Sequence, residues 1–263
     1  MQSPDLTYQP EKWIAIIPAR YASTRFPGKP LAEIRGKSMI ERVYQQASQA
    51  MNHVWVATDD QRIEQDVRRF GGRCVMTSAE HKSGTDRVRE ALDKIEQESG
   101  HRFQIVINLQ GDEPFIQPDQ LRELMSCFSD PQTQIATLIK GIDQNHDIFN
   151  ENLPKVITTQ DENAIYFSRS PIPFIRNQDK HQWIQHHPFM KHIGLYAYRT
   201  DILRQITRLA PSSLELAESL EQNRWIQHGY RIKTAITRHE NHPVDTPGDL
   251  EAILQQLDQH SNG

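Results

Sequence analysis

The sequence is poor in several features that would each point to a function. It has only two cysteines in 263 residues, Cys74 and Cys127, and they do not form a C-x-x-C pair. That excludes a disulfide scaffold and gives no zinc or redox motif. Glycine is scarce at 12 residues, and nowhere do three fall within six positions, as a dinucleotide fingerprint requires. A Walker A loop is missing too: Gly36-Lys37-Ser38 imitates its end, but Leu31 stands where its first glycine belongs. There is no excess of positive charge. Thirty Lys and Arg face 34 Asp and Glu for a formal −4, so nothing supports nucleic-acid binding by global charge and any basic patch must be local. No apolar run approaches the ~18 residues of a membrane span. The opening MQSPDLTYQPEK lacks the apolar core of an export signal. The expectation is a protein of a reducing, cytoplasmic compartment with neither nucleic acid nor membrane as partner.

What is present reads as an α/β protein. The apolar fraction of 37% and charged fraction of 24% suit a globular chain long enough for a main domain with a smaller insertion. WIAIIP (13–18), VWVAT (54–58), RCVMTS and QIVINLQGDEP (104–114) are short apolar runs typical of strands buried on both faces. Between them KSMIERVYQQASQA, DQRIEQDVRRFG and SGTDRVREALDKIEQ have helical spacing, with Gly71-Gly72 as a stop and Ser83 or Thr85 as a cap for the third. QPDQLRELMSCF continues as a helix. The alternation predicts a mostly parallel sheet flanked by helices, with the segments after its strands sharing a crevice. Near residue 130 the pattern changes. QIATLIK, KVITT, AIYFSR and MKHIGLYAYR predict a β-rich part, and RNQDKHQWIQHHP (176–188) reads as a polar, mobile linker. SLELAESLEQNRWIQHG predicts one helix, YRIKTAIT a strand and TPGDLEAILQQLDQ a terminal helix. The expected division is 13–130 and 131–263, with 228–263 returning to the main sheet.

Four stretches carry candidate chemistry. The loop of Pro18–Leu31, PARYASTRFPGKPL, holds Arg20, Arg25 and Lys29 with no acid. Guanidinium forks and an ammonium suit phosphate oxygens, and loops this long tend to be functional. A solvated basic loop is the alternative. Gln110-Gly111-Asp112-Glu113-Pro114 puts Asp112 at the end of the fourth strand, where it could hold Mg²⁺ against phosphate or be an ordinary turn acid. In Val244-Asp245-Thr246-Pro247, Thr246 reads as a helix cap, leaving Asp245 as a second carboxylate. Ser83-Gly84-Thr85-Asp86-Arg87 is a donor-rich strand-to-helix turn, or a plain N-cap. The histidines His181, His186, His187 and His192 match no zinc spacing.

Taken in order, PARYASTRFPGKPL, VATDD, SGTDR, NLQGDEP, YFSRSPIPF, KHIGLYAYR, SSLELAESLEQ and VDTPGDLE resemble the 3-deoxy-manno-octulosonate cytidylyltransferases, the CMP-Kdo synthetase family. The resemblance spans residues 13–258. It implies a nucleotide-diphospho-sugar-transferase-like fold and a Mg²⁺-dependent cytoplasmic homodimer. The implied reaction transfers CMP from CTP to Kdo for lipopolysaccharide biosynthesis. It further implies that Arg20, Arg25 and Lys29 meet the CTP phosphates, with Ser83 and Gln110 also on the nucleotide, and that Asp112 and Asp245 ligate magnesium. Arg20, Lys29, Asp112 and Asp245 would be the catalytic set. Arg87, Gln110, Arg169, His192, Tyr196, Glu215, Glu218 and Gln222 would form the sugar-acid pocket, the last three on one helix face. Where the family commonly has a glycine-rich approach, this chain reads Asn241-His242-Pro243. The competing readings are CMP transfer to 8-amino-Kdo or a sialic-acid-type sugar, and an inactive nucleotide-binding regulator.

Overall fold

The computed structural model describes residues 9–22, 25–241 and 243–261. Most of the N-terminal arm, Ser23, Thr24 and His242 lie outside the described residues. The chain forms two compact units, one of residues 9–121 with 241–263 and the other of residues 122–240.

The first unit begins with β1 (Trp13–Ala19), whose Ile14, Ala15, Ile16 and Ile17 are wholly buried. An unbroken apolar run is what a strand covered on both faces needs. A two-stranded hairpin, β2 (Glu33–Ile34) and β3 (Lys37–Ser38), turns through Arg35 and Gly36, both at positive φ. That turn accounts for the Gly-Lys-Ser triplet without any phosphate loop. Ser38 then caps α1 (Met39–Ser48) by accepting from the Glu41 N–H. There follow β4 (Val54–Thr58), α2 (Gln61–Arg69) capped by Asp60, β5 (Cys74–Met76), α3 (Gly84–Ser99) and β6 (Ile105–Asn108). Ser83, not Thr85, is the cap of α3. The strands stand in the order β6-β1-β4-β5 and every pairing is parallel. The chain therefore winds outward from β1 through β4 and β5, then crosses back to β6 on the other side of β1. The gap between the carboxyl ends of β1 and β6 is a topological switch point, where such sheets leave a crevice.

After α4 (Pro118–Ser126) the second unit contains β7 (Ile135–Gly141), β8 (Lys155–Thr158), β9 (Ala164–Ser168), α5 (Trp183–His186), β10 (Met190–Arg199), α6 (Thr200–Ile206), α7 (Ser213–Glu218), α8 (Gln222–Gln227) and β11 (Ile232–Ile236). β7 pairs antiparallel with β10 and parallel with β11, and β8 pairs antiparallel with β9 and β10. β11 opens the segment 228–263, and its partner strand is β7. The last helix, α9 (Pro247–Ser261), belongs to the first unit. Both cysteines are free, and burial pushes the Cys74 thiol up to about 12 and the Cys127 thiol up to about 11.

Two expectations are corrected. The stretch 213–229 is not one helix. Ser219 adopts a left-handed conformation at φ 53°, ends α7, and separates it from α8. Nor is 176–188 a linker. Trp183 is 2% exposed and packs in a cluster with Ile142, Ile148 and Phe189, while Asn145 accepts from the Ile184 N–H at 3.2 Å and donates to the Lys180 carbonyl at 3.0 Å. One large indole outweighs the polar composition around it, because burying an aromatic side chain dominates local energetics. Trp183→Ala should lower unfolding stability by about 3–5 kcal/mol. Urea denaturation would measure this, and a loss near zero would show that the segment is not anchored through Trp183.

Candidate active site

The switch point in the first unit holds a cavity of about 300 Å³ lined by residues that include Pro18, Arg20, Arg25, Lys29, Ser83, Gln110, Gly111, Asp112 and Asp245. Local chemistry shapes its first wall. After β1 the loop doubles back where the Gly28 N–H donates to the Tyr21 carbonyl at 3.0 Å. Gly28 sits at φ 73°, and a Cβ there would lie 3.1 Å from the Tyr21 ring, so glycine fits both the dihedral and the contact. The Tyr21 ring is itself covered by the Arg62 guanidinium, 3.3 Å from its centroid. A 3-10 turn, Lys29–Leu31, follows and aims Lys29 into the cavity. On the opposite wall a Cβ at Gly111 would lie 3.0 Å from the Pro18 carbonyl. A side chain there would press on that carbonyl, so glycine suits the turn where β6 closes against β1.

The electrostatic centre is Lys29. Its Nζ lies 2.7 Å from Asp112 Oδ2 and 3.4 Å from Asp245 Oδ1. Arg25 reaches the same Asp245 oxygen at 3.2 Å. Arg20 is exposed at the cavity edge. Two carboxylates that converge on one cation, with oxygen donors only, have the character of a hard-cation site, and Mg²⁺ needs one or two carboxylates plus substrate oxygens and water. Among the described residues no group of three or more His, Cys, Asp or Glu is arranged to hold a metal alone.

Asp245 is positioned by neighbours that sequence reasoning did not select. Asp249 Oδ2 accepts from the N–H groups of Asp245 at 3.0 Å and Thr246 at 2.7 Å, while Thr246 Oγ1 accepts from the Asp249 N–H at 3.2 Å. Thr246 therefore caps α9 and leaves the Asp245 carboxylate free for Lys29. Upstream, Val244 is fully buried and its N–H donates to the Asp112 carbonyl at 3.0 Å. Gln120 on α4 donates to Asn241 Oδ1 at 2.6 Å. Glu113, also unselected, is buried beside Asp112. Burial first, and then the Asp112 charge, pushes its carboxyl up to about 8. Ser83 Oγ accepts from the Asp86 N–H at 3.1 Å, so the residue is both cap and cavity wall. Arg87, expected on the sugar, is 4% exposed and committed to Thr77 Oγ1 at 2.6 Å and Asp59 at 3.3 Å.

The second unit gathers the remaining expected residues into two groups. In one, Glu218 Oε1 accepts from Tyr166 at 3.0 Å and Ser168 at 2.7 Å, and Oε2 accepts from the Arg169 N–H at 2.9 Å. The Arg169 guanidinium donates back to the Glu218 carbonyl at 2.7 Å and to the Glu151 carbonyl at 2.9 Å. In the other, a bulge in β10 between Ile193 and Tyr196 brings the His192 and Tyr196 rings to 5.2 Å. Thr137 Oγ1 fills the bulge, 2.8 Å from the Leu195 carbonyl and 3.0 Å from His192 Nε2. The shared helix face expected for Glu215, Glu218 and Gln222 is absent, because the break at Ser219 intervenes. Glu215 instead joins a capping box with Ser212 and a two-pronged pair with Arg224 at 2.5 and 2.7 Å. Gln222 is buried, with no hydrogen-bond partner for Nε2 among the described residues.

A family model described as Cytidylyltransferase matches residues 14–233. The chain is 54% identical over 250 residues to the 3-deoxy-manno-octulosonate cytidylyltransferase of Parabacteroides distasonis, covering 94% of this chain and 98% of that one. It is 56% identical over 253 residues to the protein of that name from Bacteroides thetaiotaomicron, covering 95% and 100%. The chain belongs to the 3-deoxy-manno-octulosonate cytidylyltransferase family. A solved structure of CMP:2-keto-3-deoxy-manno-octonic acid synthetase complexed with CTP superposes with a TM-score of 0.86 at 43% identity, covering 95% of this chain and 99% of that one. A glucose-1-phosphate thymidylyltransferase from Bacillus anthracis, at 14% identity and TM-score 0.62, shares the fold. The nucleotidyltransferase-like sheet flanked by helices follows from both.

His192 offers a titration check. Burial pushes its imidazole down to about 3 from the ordinary 6.5. The unfolded chain takes up this proton below about 6.5 while the native state does not. The contribution to stability is therefore intact above that pH and falls as pH drops from 6.5 toward 3. The His192 ring signals in NMR should stay those of a neutral imidazole from pH 7.5 to 5, and a midpoint near 6.5 would contradict the enclosure described.

Proposed function

We infer that this chain catalyses the transfer of CMP from CTP to 3-deoxy-manno-octulosonate, giving CMP-Kdo and pyrophosphate, a step of lipopolysaccharide biosynthesis. The observation that carries the reading is the meeting of Lys29 with both Asp112 and Asp245 at the switch-point cavity, in a chain 54–56% identical to relatives of that name.

The anomeric hydroxyl oxygen of the sugar acid attacks the α-phosphorus of CTP. A bond forms between that oxygen and phosphorus, the bond from phosphorus to the oxygen bridging the β-phosphate breaks, the hydroxyl proton passes to water, and pyrophosphate leaves. Arg20, Arg25 and Lys29 bind the triphosphate and stabilise the charge that grows on the leaving pyrophosphate. In the free protein Lys29 neutralises two carboxylates that would otherwise repel each other. The CTP phosphates compete for the Lys29 ammonium, and Asp112 and Asp245 are the residues that would hold Mg²⁺. Bound there, Mg²⁺ would lower the pKa of the sugar hydroxyl and neutralise the triphosphate. Ser83 and Gln110 bound the nucleotide side of the cavity. In the second unit Glu218 with Arg169, and His192 with Tyr196, are the groups this reading assigns to the sugar acid. The free positioning of two substrates in one orientation can contribute ~7–11 kcal/mol to lowering the barrier. A homodimer in the cytoplasm belongs to the same proposal. Use of CTP supports the compartment, and the exposed Phe174, Leu216 and Ile236 of the second unit support self-association, which sedimentation would measure.

Pyrophosphate release should require CTP, Kdo and Mg²⁺ together, and UTP, ATP or GTP should not replace CTP. Release with another acidic sugar but not Kdo would overturn the substrate assignment, and no release with any pair would overturn the enzymatic reading. Asp112→Ala should reduce turnover by about 10³-fold or more, on the scale of lost transition-state stabilisation, while CTP still binds. A near-normal turnover number would remove Asp112 from the catalytic set.

A further inference from the structure

One wall of the nucleotide cavity is a seven-residue segment, Thr77–Ser83, between β5 and α3. His81, Lys82 and Ser83 from it line the cavity. The segment has no secondary structure of its own, so something must fix its course. Both of its ends are tied to α3. At the start, Arg87 donates to Thr77 Oγ1 at 2.6 Å. The larger share falls to Glu90, one turn further along. Its two oxygens accept from the Ser78 N–H at 3.3 and 3.1 Å. Oε2 pairs with His81 Nε2, and Oε1 meets Lys94 Nζ at 2.8 Å. Lys94 in turn donates to the Met76 carbonyl at 2.8 Å, at the end of β5.

One carboxylate thus bridges the first residues of the segment and its cavity-lining histidine. Burial alone would raise the Glu90 carboxyl, but hydrogen bonds from Lys94, Ser78 and His81 outweigh it and hold it down at about 2. It stays ionised across the working pH range, and charge-assisted bonds of this kind are the strong ones. If the segment needed only burial, apolar packing would hold it without placing a histidine at the cavity wall.

We propose that Glu90 is a positioning residue for the nucleotide, acting through His81 and the Ser78 N–H to hold the His81-Lys82-Ser83 wall against bound CTP. The proposal rests on the reading of this cavity as the CTP site. It distinguishes Glu90 from a residue that merely stabilises the fold, because the consequence of its loss falls on one substrate.

The test is steady-state kinetics with CTP and Kdo varied separately, together with calorimetric titration of CTP in the absence of sugar. Glu90→Ala should raise KM for CTP about tenfold, the loss of a hydrogen bond to a charged group, and weaken CTP binding by a similar factor. KM for Kdo and kcat at saturating CTP should stay within about twofold. Glu90→Gln retains an acceptor for the Ser78 N–H and should recover part of the CTP affinity. His81→Ala should weaken CTP binding on its own and add little in the Glu90→Ala background. A folded Glu90→Ala protein with unchanged CTP affinity would overturn the proposal, as would equal losses in both KM values and kcat. Should Glu90→Ala fail to fold, His81→Ala decides, and unchanged CTP affinity there would overturn it. If the unaltered protein bound CTP but released no pyrophosphate with Kdo, the functional reading would fail while the calorimetric arm still tested Glu90.

Discussion

The structure of the first unit turns on one ammonium group shared between two carboxylates. Lys29 comes from the loop after β1, Asp112 from the turn after β6, and Asp245 from the entry to α9. Three distant stretches of chain are held together at their most charged points. Without Lys29, Asp112 and Asp245 would lose the cation they share, and like charges at short range inside a cavity are costly. Glu113 is buried beside them, and that burial first, with the Asp112 charge second, pushes its carboxyl up to about 8. A site that concentrates negative charge around one lysine is suited to exchange it for cations and phosphates that arrive together.

Sheet topology puts those three stretches within reach. The order β6-β1-β4-β5 places the switch point beside β1, and the crevice there follows from the winding of the chain. Small residues make the closure possible. Gly111 admits the Pro18 carbonyl and Gly28 admits the Tyr21 ring. Around this centre the outer supports are themselves polar networks: Asp249 on the backbone of Asp245, Gln120 on Asn241, and Glu90 on the segment that ends at Ser83.

The second unit solves a different problem. Several of its polar residues are satisfied by each other: Glu218 with Tyr166, Ser168 and Arg169, Glu215 with Arg224, and His192 with Thr137 in the β10 bulge. Buried polar groups need such partners, and fully connected networks fix side-chain directions before a ligand arrives. The aromatic contacts of His192 with Phe167 at 5.0 Å and Tyr196 at 5.2 Å give the imidazole an apolar surround.

Local pattern in the sequence determined much. The apolar runs at β1, β4 and β6, the caps at Thr246 and at Ser83 (one of two residues offered there), and the acid-free basic loop are consequences of neighbouring residues alone, and each was legible because burial and capping act over a few positions. The roles of Asp112 and Asp245 were legible only as types of residue at strand and helix ends. That they share Lys29 was decided by tertiary structure, because they lie far apart in the chain and meet through sheet order. The same holds for Glu90, an ordinary acid in the sequence whose partners Ser78 and His81 come from another stretch of chain, whereas Asp249 bonds Asp245 and Thr246 within four positions. Tertiary structure also overruled local pattern twice. Ser219 broke a helix that spacing predicted, with Glu218 on one side bonded to β9. Trp183 fixed a segment whose composition read as mobile, because one buried indole has more apolar area to gain than its polar neighbours have hydration to lose.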